Sequence, residues 1–352
     1  MVEIQHWRCL AVQVRWKFLA VIGAILLSTA FVIALTIFRD YEIEIPRFDK
    51  LEVDDFPPLG IEAEEEYPSE ASPLRIPPVI HQTWRDRNIP SSVANWMKSW
   101  IIHHSKWRYI YWTDDTALDL ILNSHEYLLP IYYGYPESIR RADAMRYVIL
   151  YEYGGVYADM DMESLRSLES IVRKYSCILA QEPYEHPIID GNFEHLVINA
   201  FMACAKKHPF MKLVVDRLKD FSHFWNVLDS TGPHFLTFIY KSYQSERNIK
   251  STDDNGVYLA PAEYFFPTLD PVKFPYMRRI CENFHTFYKL KQRACVSLKV
   301  FGLQRRPFSF SFTQHHWIHT YLGDGLTIRK TYDLLELVPH AEMYDFRKGL
   351  QT

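Results

Sequence analysis

Residues 138–163 read SIRRADAMRYVILYEYGGVYADMDME, and the succession of patterns inside them decides the fold. Ser138 is placed to cap a helix, and Ala142, Met145, Ile149 and Leu150 recur at helical spacing. Gly154-Gly155 ends that helix, because glycine takes positive φ without a Cβ penalty. From Gly155 the period changes to two: Val156, Ala158 and Met160 alternate with Tyr157, Asp159 and Asp161, as along a strand. The alternation predicts that Asp159 and Asp161 share one strand face. Two carboxylates so placed can hold a hard divalent cation together with diphosphate oxygens. Upstream, Asp143 and Arg146 lie three apart and so on one side of the helix. Asp143 is suited to accept hydrogen bonds from sugar hydroxyls, and Arg146 to bridge sugar and phosphate with its planar fork. The plain alternative for this pair is a surface ion pair.

The flanking sequence continues the strand–helix alternation. IPPVIHQTW (76–84) reads as a buried first strand, Val79-Ile80, ending in a polar loop from His81 to Trp84. Ligands of open α/β sheets sit beyond the carboxyl ends of strands, so His81 and Trp84 are candidate nucleotide contacts. Ser92 to His103 carries a helical pattern, WRYIYWTDD (107–115) a second strand, and Asp115 to Leu122 a further helix. The fold class is therefore α/β, with a mostly parallel, helix-flanked sheet. Asn199 precedes an amphipathic stretch and either faces a donor or caps a helix. Gly232-Pro233 after Thr231 reads as a loop.

The N-terminal part is of a different kind. Residues 18–38, FLAVIGAILLSTAFVIALTIF, contain no charge, and at about 1.5 Å per residue they match a hydrocarbon core of about 30 Å. Arg8, Arg15 and Lys17 precede the run, while acids follow it, so the tail 1–17 is expected in the cytosol and the remainder in the lumen. Residues 39–75 are acidic and proline-rich and read as a spacer. The formal charge of −4 argues against a general nucleic-acid binder. Four of the five cysteines fall in the lumenal part. Cys281 and Cys295 are the closest pair in sequence, and free thiols are the alternative.

The chain from 76 onward resembles the glycosyltransferase family of the yeast initiating α-1,6-mannosyltransferase and the inositol-phosphoceramide mannosyltransferases. That family is distantly related to the clostridial glucosylating toxins. The matching stretches are IPPVIHQTW (76–84), YWTDD (111–115), RRADAMRYVILYEYGGVYADMDME (140–163), NAFMACAKKHPF (199–210), TGP (231–233) and QHHWIHTY (314–321). The resemblance implies a GT-A fold over residues 76–345 and retaining transfer with Mn²⁺ or Mg²⁺. It implies that Asp143 and Arg146 bind the donor sugar and that Asp159 and Asp161 bind metal and diphosphate. His315 or His316 would stand near the metal. Where the family ends its late block with Gly-Ser-Trp, this chain has His319-Thr320-Tyr321. The expected donor is GDP-mannose and the expected acceptor a glycan or a glycolipid such as an inositol-phosphoceramide. The expected setting is a single-pass type II protein of the Golgi membrane. A UDP-sugar donor and a non-catalytic lumenal binding protein are the alternatives.

Overall fold

The computed structural model describes residues 28–29, 64–191, 193–245, 249–283, 289–303, 309–319 and 330–350. The chain divides into two compact units, Met1–Arg47 and Phe48–Thr352. In the first, only Ser28 and Thr29 are described, and both are helical. The anchor expected at 18–38 otherwise lies outside the described residues, as does most of the spacer. Among the described residues, no helix is long and apolar enough to cross a membrane.

The second unit is built on strands β1 (Val79–Thr83), β2 (Asn88–Pro90), β3 (Arg108–Trp112), β4 (Gly155–Ala158) and β5 (Met162–Ser164). They are followed by β6 (Cys177–Gln181), β7 (Val197–Cys204), β8 (Tyr258–Ala260), β9 (Thr313–His315), β10 (Thr331–Asp333) and β11 (Glu342–Met343). Seven of these form one sheet in the order β11-β3-β1-β4-β7-β6-β8. It is mostly parallel: β7 alone runs against its neighbours, β4 and β6. The longer helices are α1 (Ala94–His103), α2 (Asp114–Ser124), α3 (Ser138–Tyr153), α4 (Pro209–Phe221), α5 (Pro233–Ser245), α6 (Phe274–Asn283) and α7 (Lys289–Phe301).

The strands are apolar on both faces because both faces are covered. Tyr157, Leu179 and Met202 point into one core with α3, α4 and α5. Their neighbours Val156, Ala158, Ile178 and Ala203 point into a second core with Met97 and Trp100 of α1. The α/β reading therefore holds. Ser138 is the first residue of α3, and no side chain caps that end. Gly154 and Gly155 do take positive φ, +64° and +96°. A Cβ on Gly155 would lie 2.5 Å from the Val79 carbonyl oxygen, so the junction of α3 and β4 admits no side chain there.

Residues 64–75, the end of the acidic stretch, lie against this unit. The Glu65 carboxylate accepts from Lys174 at 2.6 Å, from Tyr175 at 2.7 Å and from Tyr258 at 2.8 Å. Disulfides join Cys281 to Cys295, the pair closest in sequence, and Cys177 to Cys204, which face each other across β6 and β7.

Candidate active site

The site forms where β4 stops. Asp159 and Asp161 are not on a continuing strand: β4 ends at Ala158, and Met162 N–H turns back to the Asp159 carbonyl at 3.0 Å. This corrects the shared strand face expected from the period of two. Asp159 N–H still reaches the Ala200 carbonyl at 2.9 Å, and Gln82 Nε2 donates to the Asp159 carbonyl at 3.1 Å. The turn is thus fixed from β7 on one side and β1 on the other.

A late segment supplies the third member. β5 pairs with β9, with Met162 opposite His315. Asp161 is held at both oxygens from that segment: His315 Nε2 lies 3.1 Å from Oδ1, and Ile318 N–H donates to Oδ2 at 2.7 Å. Trp317, between them, takes the left-handed conformation at φ +55°, and its indole N–H donates to the Thr268 carbonyl at 3.1 Å. Ligand atoms from Asp159, Asp161 and His315 all fall within 4.8 Å of one another. His315 Nδ1 is buried without a hydrogen-bond partner among the described residues. Two carboxylates and an imidazole form a donor set that suits Mn²⁺ or a similar divalent ion, so the residues fit the metal that the resemblance implies.

His316 stands outside this group. Its ring stacks on Trp96 with centroids 3.9 Å apart, and Nε2 lies 2.9 Å from Glu163 Oε2. Of the two neighbouring histidines named as metal candidates, the structure brings only His315 to the acids.

Asp143 and Arg146 meet at 3.1 Å, with each side chain 5% exposed, so they are not a surface pair. Arg146 also reaches Asp159 Oδ1 at 3.2 Å and donates to the Asn199 carbonyl at 2.8 Å. Asp143 accepts from Asn199 Nδ2 at 2.9 Å and from Thr231 Oγ1 at 3.0 Å. Arg146 therefore links Asp143 to Asp159. Asn199 joins the same network from β7 as an organiser of Asp143, and is not a helix cap.

The electrostatics follow from burial. Burial pushes the Asp143 carboxyl up to about 6 against the pull of Arg146 and its hydrogen bonds. Burial also raises Asp159, which Arg146 opposes and the neighbouring Asp161 reinforces. Burial works on Asp161 in the same direction, but His315 and the Ile318 N–H outweigh it and hold that group below the usual carboxylate range. His315 is pulled down by burial yet ends above its ordinary value because of the Asp161 carboxylate. Asp159 keeps 28% of its side chain exposed against 11% for Asp161, so the cluster opens at Asp159.

The loop after β1 divides differently from expectation. His81 lies within the strand, fully buried. Its Nε2 bonds the Gly154 carbonyl at 2.8 Å, and its Nδ1 receives the Trp112 indole N–H at 3.1 Å. Both ring nitrogens are committed to the fold, which leaves none for a nucleotide. Trp84 is half-buried, and its Nε1 has no hydrogen-bond partner among the described residues. Two groups escaped the sequence reading. Tyr157 donates to Asp159 Oδ1 at 2.7 Å, and Tyr147 donates to the Thr231 carbonyl at 2.7 Å. The period of two places Tyr157 on the side of the acids but carries no signal for its hydroxyl.

Comparison with known proteins bears on this same region. Residues 90–178 match the family model described as glycosyltransferase sugar-binding region containing DXD motif, which spans α1 to β6 and includes Asp143, Arg146, Asp159 and Asp161. Inositol phosphoceramide mannosyltransferase 1 of Schizosaccharomyces pombe is 33% identical over 177 residues, 48% of this chain and 52% of that protein. Mannosyl phosphorylinositol ceramide synthase CSH1 of Saccharomyces cerevisiae is 31% identical over 202 residues, 55% of this chain and 50% of that protein. The initiation-specific alpha-1,6-mannosyltransferase of the same yeast is 31% identical over 103 residues, 27% of this chain and 22% of that protein. The family resemblance, read from stretches spread over residues 76–321, is matched by the family model over residues 90–178. The chain spans about half the length of the first two relatives.

Proposed function

We propose that this chain is a metal-dependent, retaining glycosyltransferase of the GT-A type that moves a hexose, mannose from GDP-mannose first, onto a glycan or glycolipid. An inositol-phosphoceramide-type sphingolipid is the acceptor that the names of its relatives favour. The observation that carries the reading is the continuous path Asp143–Arg146–Asp159, with Asp161 and His315 closing the far end.

Asp159, Asp161 and His315 would hold the divalent ion, whose positive charge would stabilise the departing nucleoside diphosphate. Arg146 stays charged at any working pH, because burial, which lowers its pKa, is outweighed by the acids and tyrosines around it. It presents that charge between the sugar and phosphate positions. Asp143, ionised above about pH 6 and fixed by Asn199 and Thr231, accepts from sugar hydroxyls. The acceptor hydroxyl attacks on the face the nucleotide leaves, and a leaving-group phosphate oxygen takes its proton. No protein base is required.

The expected setting is a type II Golgi membrane protein with this domain in the lumen, anchored through residues 18–38. The deciding experiment is a donor screen on the purified, detergent-solubilised chain with Mn²⁺, reading nucleotide release from GDP-mannose and from a panel of UDP-sugars. Release from GDP-mannose alone supports the reading. Release from a UDP-sugar alone would move the donor assignment, and release from none would overturn the catalytic claim.

A further inference from the structure

Helices α6 and α7 form a hairpin on the second unit, closed by the Cys281–Cys295 disulfide. Its inner side is apolar: Met277, Ala294 and Leu298 pack with Ile188, Ile189 and Leu269. Its outer side is of another composition. Its exposed basic residues are Arg278, Arg279, Lys289, Arg293 and Lys299, against one exposed acid, Glu282, in a chain whose overall formal charge is −4. On α7, Lys289, Arg293, Val296 and Val300 recur at helical spacing and are all exposed. Val296 is 61% exposed, Val300 67% and Phe301 54%. On the adjoining α6 side, Val272 is 64% and Tyr276 48% exposed, next to exposed Arg278 and Arg279. Of the thirteen exposed large apolar side chains among the described residues, these five lie on one basic hairpin.

We propose that the outer face of this hairpin docks on an anionic lipid surface. Cations in a row are drawn to acidic headgroups, and the aliphatic and aromatic side chains between them enter the boundary below. A purely acidic protein partner would satisfy the lysines and arginines but leave Val296, Val300 and Phe301 in water. The surface is independent of the transfer reading and of the segment 18–38. It adjoins the segment that carries His315: Trp317 donates at 3.1 Å to the carbonyl of Thr268, a few residues before the hairpin.

The test is hydrogen–deuterium exchange of the full chain in three settings: detergent, neutral phosphatidylcholine nanodiscs, and nanodiscs containing phosphatidylinositol. Amides of 272–282 and 289–301 should gain protection only in the anionic discs and lose it again in high salt. The triple variant Lys289→Glu/Arg293→Glu/Lys299→Glu should abolish that gain, each lost cation weakening the contact by roughly fivefold. Its melting temperature should stay unchanged, since the three side chains are exposed. Val296→Ser/Val300→Ser should reduce the gain without altering its salt dependence. Equal exchange in all three settings would overturn the proposal. So would protection in detergent that rises with protein concentration, which would assign the face to a second copy of the chain.

Discussion

Asp143 Oδ1 and the Arg146 guanidinium stand 3.1 Å apart at positions three residues apart on α3, each with a side chain 5% exposed. A pair of this kind on a surface contributes at most about 1 kcal/mol. Buried, and continued to Asp159, it has different consequences. Arg146→Lys keeps the charge but not the fork that spans Asp143, Asp159 and the Asn199 carbonyl. We expect nucleotide release to fall on the order of a hundredfold and stability to fall by ~1–3 kcal/mol, the cost of an unsatisfied buried acceptor. Wild-type kinetics with lowered melting temperature would make the pair purely structural.

Asp161→Asn should separate metal binding from folding. Wild-type protein should melt higher with Mn²⁺, by ~3 kcal/mol when the ion is at a hundred times its Kd. The variant should stay folded, because an amide still accepts from the Ile318 N–H, and should melt slightly lower without metal for the lost charge beside His315, but it should lose the response to Mn²⁺. An undiminished response would remove Asp161 from the ligand set.

The neighbouring histidines give a sharper contrast. His315→Ala should lose the Mn²⁺ response. His316→Ala should retain it and lose only the stack on Trp96 and the contact with Glu163, a cost of ~1–2 kcal/mol. The reverse pattern would assign the imidazole beside the acids to His316.

Acid should weaken the fold through its buried imidazoles. Burial holds His81, His104, His195 and His208 down at about 4 from an ordinary 6.5. A group whose folded pKa is depressed supports the fold above its unfolded value and loses that support as pH falls to the folded one. Each of the four therefore removes up to ~3 kcal/mol between pH 6.5 and 4. Asp143, raised to about 6, opposes them, favouring the protonated fold as pH falls from 6 toward its unfolded value of 3.8. Urea midpoints across pH 4 to 7 should fall steeply below 6.5, and the His104→Gln variant should show a shallower slope. A flat profile would mean these rings are protonated in the fold.

Much of this was legible because period and burial agree. The change from helical spacing to alternation at Gly154-Gly155 marks the α3–β4 junction, and it set Asp143 and Arg146 near Asp159. Alternation does not say where a ladder stops, however. The turn at Asp159 is held by Ala200 of β7 and Gln82 of β1, which the local pattern does not contain. His81 looked like the start of a loop because it is polar, yet β1 runs on to Thr83 and the Gly154 carbonyl and Trp112 indole satisfy the ring. His315 and His316 are adjacent in the chain, so only the pairing of β9 with β5 distinguishes them.

Both oxygens of Asp161 are held by a segment that follows it by more than 150 residues; the Ile318 contact spans 157. During synthesis the polypeptide emerges from its N-terminus, so β4 and the aspartates leave the ribosome well before His315 and Ile318. Six of the seven strands of the large sheet precede residue 261 in the chain. A growing chain can therefore complete most of that scaffold while Asp159 and Asp161 face each other with no imidazole between them. The Asp159–Asp161–His315 cluster is a late event in the life of each molecule, and a protein cut short before β9 would carry the whole matched motif and still lack the imidazole.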